Sequence, residues 1–234
     1  MGITKYKDGD YLYTRIDEAY GILDWRNIVE MLWGISGSIE YIHVESESFY
    51  GNLHGGNLFI KDESICIIDT ELHCLIDSNK IYGVLPYISP EILRGNLPTK
   101  YSDIYSFGII MWMLIMGIRP WCNRPNDLKL ANEICFGLRP EIIDGTPDIY
   151  IQLMTQCWDS DPLKRPTASQ LYESLKSWID AIDDPDSSEL SELFDLTEEK
   201  RSSNLKSNKF QQQKIHSEAF YKRSILHFLE LASI

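Results

Sequence analysis

The residues best equipped for chemistry in this sequence lie in one short stretch, Tyr50-Gly51-Asn52-Leu53-His54-Gly55-Gly56-Asn57. It sets two carboxamides and an imidazole among three glycines. A carboxamide is neutral and cannot take up a proton near pH 7, so Asn52 is no general base. Asp103 stands at the start of a long apolar run, where a carboxylate can accept backbone N–H groups at a helix N-terminus. The five histidines, His43, His54, His73, His216 and His227, show no metal-ligand spacing. The five cysteines, Cys66, Cys74, Cys122, Cys135 and Cys157, are odd in number and contain no CxxC, which argues against a disulfide framework or a zinc site. No Gly-x-Gly-x-x-Gly phosphate cradle occurs.

The elements that must position these groups can be read from hydrophobic spacing. Asp24 can cap a long helix whose apolar stripe is Trp25, Ile28, Val29, Leu32, Ile35, Ile39 and Ile42. Leu58-Phe59-Ile60 and Ile65-Cys66-Ile67-Ile68 flank Lys61–Ser64 and predict a β-hairpin directly after the glycine-rich stretch. Residues 69–100 read as irregular, punctuated by Gly83, Pro86, Pro90, Gly95 and Pro98. A helix over 103–117 is apolar nearly all round and belongs in the centre of a domain. Shorter helices are predicted near 126–136, 148–157 and 168–182, with Asp148 and Thr167 as candidate caps of the last two. Residues 183–215 turn acidic, then basic and polar, and read as a linker. Residues 216–234 regain apolar spacing as an amphipathic tail helix.

With 234 residues, 44% of them hydrophobic, the chain can bury one ordinary core and carry an appendage. A net charge of −13 repels phosphate backbones and anionic lipid, which disfavours nucleic acid and membrane surfaces as partners. Met1 to Asp10 is polar, with no signal peptide. The longest apolar run, Phe107 to Ile118, is well short of the ~20 residues that a spanning helix needs. Free thiols among apolar neighbours suit a reducing compartment, and a cytoplasmic location is expected.

Several motifs then carry a family signature. Gly83-Val84-Leu85-Pro86-Tyr87-Ile88-Ser89-Pro90-Glu91 resembles the end of a protein-kinase activation segment, with Ser-Pro-Glu for Ala-Pro-Glu. Ser102-Asp103-Ile104-Tyr105-Ser106-Phe107-Gly108 resembles the start of the kinase central helix. Cys157-Trp158-Asp159, Asp161-Pro162 and Arg165-Pro166-Thr167 resemble the late motif of the C-terminal lobe, and Gly137-Leu138-Arg139-Pro140 resembles the tyrosine-kinase-like branch. The resemblance implies an α+β fold, predominantly α: a protein-kinase-like C-lobe over residues 1–182 with a small β-hairpin. Tyr6 to Leu12 resembles the segment after the hinge between kinase lobes. The N-lobe, with its lid, lysine and glutamate, is therefore expected to be absent.

Through the resemblance, Asn52 falls where the catalytic aspartate stands, and Gly51 replaces the arginine that binds an activation-segment phosphate. Asp69-Thr70-Glu71 replaces Asp-Phe-Gly. Asn57 and Asp69 keep the metal-ligand positions, either as Mg2+ ligands or as hydrogen-bond braces of their loops. Phe59 falls where an apolar residue floors the adenine site, or it is plain hairpin core. Glu91 and Arg165 should form a buried ion pair, and Asp103 should brace the catalytic loop. His54 reads as a structural hydrogen-bonding residue, and Ser78 and Tyr82 as ordinary loop polarity. The resemblance implies ATP and Mg2+ as cofactors, with ATP held weakly. Two functions follow: an impaired pseudokinase that binds protein partners, or a Ser/Thr or Tyr kinase that moves the γ-phosphate of ATP to a protein hydroxyl.

Overall fold

The computed structural model describes residues 10–18, 23–61, 64–68, 81–184, 189–207, 215–222 and 224–226. The elements run β1 (Asp10–Tyr11), α1 (Leu12–Glu18), α2 (Trp25–Val44), β2 (Leu58–Lys61), β3 (Ser64–Ile67), β4 (Ile81–Gly83), α3 (Pro90–Leu93), α4 (Lys100–Met116), α5 (Leu128–Cys135), α6 (Asp148–Cys157), α7 (Ala168–Ile182), α8 (Glu189–Ser207) and β5 (Ser224–Leu226). The fold is mostly helical, with a small antiparallel sheet ordered β1-β2-β3 and a separate β4-β5 pair. Among the described residues no helix is long and apolar enough to cross a membrane.

The core forms around α4. Every residue from Ser102 to Met116 is buried, as the all-round apolar pattern requires. The helix begins three residues earlier than expected, because Thr99 and Ser102 form a reciprocal capping box. That box caps the helix and releases the Asp103 carboxylate for another task. Gly117, at φ 62°, ends the helix in the left-handed region. At mid-helix, a Cβ on Gly108 would stand 2.8 Å from Cys157 Cβ and 3.2 Å from the Met154 carbonyl, so only glycine lets α6 approach this closely.

Helix α2 buries its predicted stripe from Trp25 to Ile39, with Ile42 partly buried at its end, and the Asp24 side chain accepts the Asn27 N–H at 2.7 Å. It packs chiefly on α7, where the Trp33 and Tyr172 rings stack at 5.7 Å. Thr167 and Gln170 cap α7 reciprocally. Asp148 is the first residue of α6 and not its cap, which is Pro147. The predicted hairpin strands pair, with Leu58 opposite Ile67 and Phe59 opposite Cys66. Within the stretch expected to be irregular, β4 and α3 are ordered.

Two expectations about the C-terminal part are corrected. The segment read as a linker over 183–215 contains the 19-residue helix α8. Its apolar content is low, but Phe194, Arg201 and Leu205 share one face and are all buried. The segment read as a tail helix over 216–234 instead holds a turn and the strand Ser224–Leu226, paired antiparallel with Ile81–Gly83. Residues 227–234 lie outside the described residues.

Helix α8 is anchored by a charge. Arg201 is fully buried, and its guanidinium donates to the carbonyls of Ile115, at 3.2 Å, and Leu23. It also pairs with Glu198 at 3.0 Å and lies 4.8 Å from the centroid of the Trp25 ring. Ile115 is in the last turn of α4, where carbonyls lack partners in their own helix. Glu198 in turn accepts the Trp25 N–H, one of the free donors at the start of α2. One side-chain pair thus serves the end of one helix and the start of another. Arg201→Ala should lower stability in urea denaturation by about 1.5–3 kcal/mol, the range for hydrogen bonds to charged groups. A change below ~0.5 kcal/mol, the usual effect of a surface substitution, would remove this role from Arg201.

Candidate active site

The glycine-rich stretch is held by one carboxylate. Asp103 accepts the backbone N–H groups of Tyr50 and Gly51, each at 2.7 Å, and lies 2.9 Å from His43 Nε2. Asp103 and His43 are both buried. Asp103 is fixed by α4 and His43 by the end of α2, so these two core helices together set the position of the loop. Its backbone turns at Gly51, where φ is 74°, a conformation that L side chains rarely adopt.

From Tyr50 the bracing continues to the hairpin. The Tyr50 hydroxyl donates to the Ile68 carbonyl at 2.7 Å and accepts from Asn57 Nδ2 at 3.0 Å. Asn57 Nδ2 also donates to the Asn52 carbonyl at 3.2 Å. The Asn57 carbonyl accepts the Ile68 N–H at 2.9 Å. Ile68 is therefore clamped through both its N–H and its C=O. The chain that delivers Asp69 departs from beside Asn57. Asp69, Thr70, Glu71 and Ser78 themselves lie outside the described residues.

The side-chain oxygen Asn52 Oδ1 is buried and has no hydrogen-bond partner among the described residues. His54 Nδ1 accepts the Gly56 N–H at 3.1 Å, and its ring stacks on Tyr13 at 6.2 Å, so it is a structural residue as expected. Phe59 is buried but lies outside the continuous core, edge-on to Tyr11 at 5.6 Å. Among the described residues no group of three or more His, Cys, Asp and Glu side chains is placed to hold a metal.

Beyond the loop, Arg165 and Glu91 meet as a bidentate pair at 2.7 and 2.9 Å. Arg165 also donates to the carbonyls of Tyr101 and Asp159, both at 2.9 Å. Burial alone would raise the Glu91 pKa, but the hydrogen bond and charge of Arg165 outweigh it and hold the carboxyl below its ordinary value. The other motifs converge nearby: Arg139 donates to the Trp158 carbonyl at 2.9 Å and stands 5.1 Å from the centroid of the Tyr105 ring.

Glu91, Asp103 and Arg165 thus make the contacts anticipated for them, while Asn52, Asn57 and Tyr50 come together in one loop. Two contributors were not anticipated. Tyr50 was read only as the start of the motif, yet its hydroxyl joins Asn57 to the strand before Asp69. Its place, two residues ahead of Asn52 in the quoted motif, was the available signal. His43 was set aside for lacking ligand spacing, and its partner is a carboxylate 60 residues away.

The chain belongs to the protein tyrosine and serine/threonine kinase family, which matches residues 1–175. It is 28% identical over 193 residues to the probable serine/threonine-protein kinase roco5 of Dictyostelium discoideum, covering 74% of this chain and 7% of that protein. It is 27% identical over 179 residues to the probable serine/threonine-protein kinase drkA of the same organism, covering 74% of this chain and 28% of that protein. It is 28% identical over 192 residues to cyclic GMP-binding protein C, also of Dictyostelium discoideum, covering 70% of this chain and 7% of that protein. The chain thus spans between 7% and 28% of the length of these relatives.

The Glu91–Arg165 pair gives a signed pH prediction. The folded pKa of Glu91 lies below its ordinary value of 4.5, so its stabilisation is complete above pH 4.5 and is lost as the pH falls through the folded pKa. Glu91→Ala, which strands the Arg165 charge, should cost about 3–5 kcal/mol at pH 7. Denaturant melts of the wild type should also lose stability as the pH falls below 4.5, and in Glu91→Ala this part of the loss should be missing. Parallel pH profiles would contradict the assignment.

Proposed function

We propose that this kinase-family domain is a pseudokinase of the tyrosine-kinase-like branch that works as a protein-interaction module in the cytosol. The observation that carries the reading is Asn52. It occupies the proton-acceptor position on a loop whose other supports are in place, and its carboxamide cannot remove a proton from an attacking hydroxyl. Losing a general base lowers rates by about 10²–10⁴-fold. Gly51 adds to this, because it cannot pair with a phosphate on the activation segment. Family members use ATP and Mg2+. Asn57 suits a ligand role: its amide nitrogen is held by Tyr50 and Asn52, which directs Oδ1 to the other side. Asn57 and Asp69 would hold Mg2+, which neutralises phosphate charge, and Phe59 would lie under the adenine. The assignment of partners to proteins, with nucleic acid and membranes set aside, rests on the net charge of −13.

The names of roco5 and drkA as probable serine/threonine-protein kinases favour a second reading, in which the domain transfers the γ-phosphate of ATP to protein hydroxyls. Incubation of the 234-residue chain with radiolabelled ATP and Mg2+ separates the two, with Asp69→Ala as control. The pseudokinase reading predicts no label above the control, and transfer that disappears in Asp69→Ala would overturn it. A thermal-shift titration with ATP, with and without Mg2+, then reads nucleotide binding. A shift present only with Mg2+ and lost in Asn57→Ala is the result expected if the loop retains its metal position.

A further inference from the structure

The C-terminal segment of the described chain lies on the kinase-like body at a place with functional neighbours. It begins at His216, whose N–H donates to the Cys122 carbonyl at 2.8 Å. The Glu218 carbonyl accepts the Asn126 N–H at 2.9 Å, and the Phe220 carbonyl accepts from the Asn126 side chain. Tyr221 is buried, and its hydroxyl donates to the Pro120 carbonyl at 2.8 Å. Its ring meets Tyr13 edge-on at 5.9 Å, and the Arg119 guanidinium stands near the faces of both. The segment then pairs as β5 with Ile81–Gly83, at the end of the activation segment.

Both contact regions border the catalytic loop. Tyr13 stacks on His54, and Tyr87, which follows β4, lies 6.1 Å from the same ring. A small cavity of about 30 Å³ is lined by Asn52 and His54 on one side and by Tyr82, Gly83 and Val84 on the other. The strand that β5 pairs with thus borders the cavity that Asn52 also lines. Among the described residues β4 has one strand neighbour, and that neighbour is β5. An unpaired strand edge is a ready template for an incoming peptide.

We propose that the described residues 215–222 and 224–226 form a displaceable strap: a strand supplied by the chain itself that fills the β4 edge, and whose release opens this edge to an extended peptide with an aromatic anchor for the Tyr13–Arg119 site. The strap is held lightly for its length. Ala219 and Tyr221 are its buried side chains among the described residues, Phe220 is exposed, and β5 contributes three residues to a two-stranded sheet. Such a pair is marginal without further support, so Tyr221 is the anchor whose loss should free it. This inference deepens the interaction-module reading and rests on it for what displaces the strap. The test reads occupancy of β4 and no phosphoryl transfer, so its failure would leave the reading of Asn52 intact.

The probe is a fluorescein-labelled synthetic peptide with the sequence of residues 215–226, read by anisotropy with the full chain and with Tyr221→Ala. A tethered strand competes at an effective concentration near the millimolar range, so the variant should bind the peptide at least about tenfold more tightly than the wild type. Hydrogen–deuterium exchange over residues 81–83 should rise in the variant and fall again when the peptide is added. Tyr221→Phe, which keeps the ring and loses the bond to Pro120, should give an intermediate response. Equal peptide affinity in wild type and variant, or unchanged exchange over 81–83, would overturn the proposal. So would loss of protection throughout α4 in Tyr221→Ala, because the segment would then be part of the folding core and not a strap.

Discussion

The structure depends on one carboxylate meeting two backbone N–H groups. Asp103 sits in the first turn of a helix buried on every side, and its oxygens leave that helix for Tyr50 and Gly51. This is possible because Thr99 and Ser102 have already satisfied the helix start. The bond network then runs outward in a fixed order. Asp103 positions Tyr50, the Tyr50 hydroxyl positions Asn57 and Ile68, and Ile68 is the residue between β3 and Asp69. A displacement of α4 would be transmitted along this whole path, and for that reason the helix is clamped near both of its ends.

Those clamps are two buried guanidinium groups. Arg165 donates to the Tyr101 carbonyl near the start of α4, and Arg201 to the Ile115 carbonyl near its end. Each also pairs with a glutamate, Glu91 or Glu198. A buried charge is tolerated only when paired and hydrogen-bonded, and both arginines meet that condition. The two pairs tie different things to the core. Glu91 brings α3, and Glu198 brings α8, a helix outside the 1–175 stretch that matches the family.

Much of this was legible in the sequence where one local rule dominated. The stripe of α2, the apolar α4, the hairpin around Lys61–Ser64 and the caps at Asp24 and Thr167 each follow from short-range spacing. The ion pair of Glu91 and Arg165 was legible only through motifs, since 74 residues separate the partners. What escaped was tertiary in origin. Helix α8 has too few apolar residues to show a face, and its chief anchor, Arg201, looks like any surface arginine until a carbonyl-rich pocket receives it. The strand at Ser224–Leu226 was read as helix because the same apolar residues suit either period over so short a span, and its pairing partner is 141 residues away in the register Gly83 to Ser224. In the site, the neutral carboxamide of Asn52 was plain from residue type, whereas the bridging role of the Tyr50 hydroxyl required the fold.

The proposed reading therefore separates frame from chemistry: the loop that carries Asn52 is braced by Asp103 and Tyr50, while a carboxamide stands where the proposal puts the proton acceptor. Residue-resolved hydrogen exchange of the Tyr50 and Gly51 amides, in the chain without nucleotide, tests this most directly. With both N–H groups held by a buried carboxylate, protection above about a thousandfold is predicted, at the level of sub-global opening and not of loop fraying. Removal of the carboxylate in Asp103→Ala should abolish it. Exchange of these two amides in the wild type at the rate of an open loop would contradict the claim that the frame stands without the chemistry.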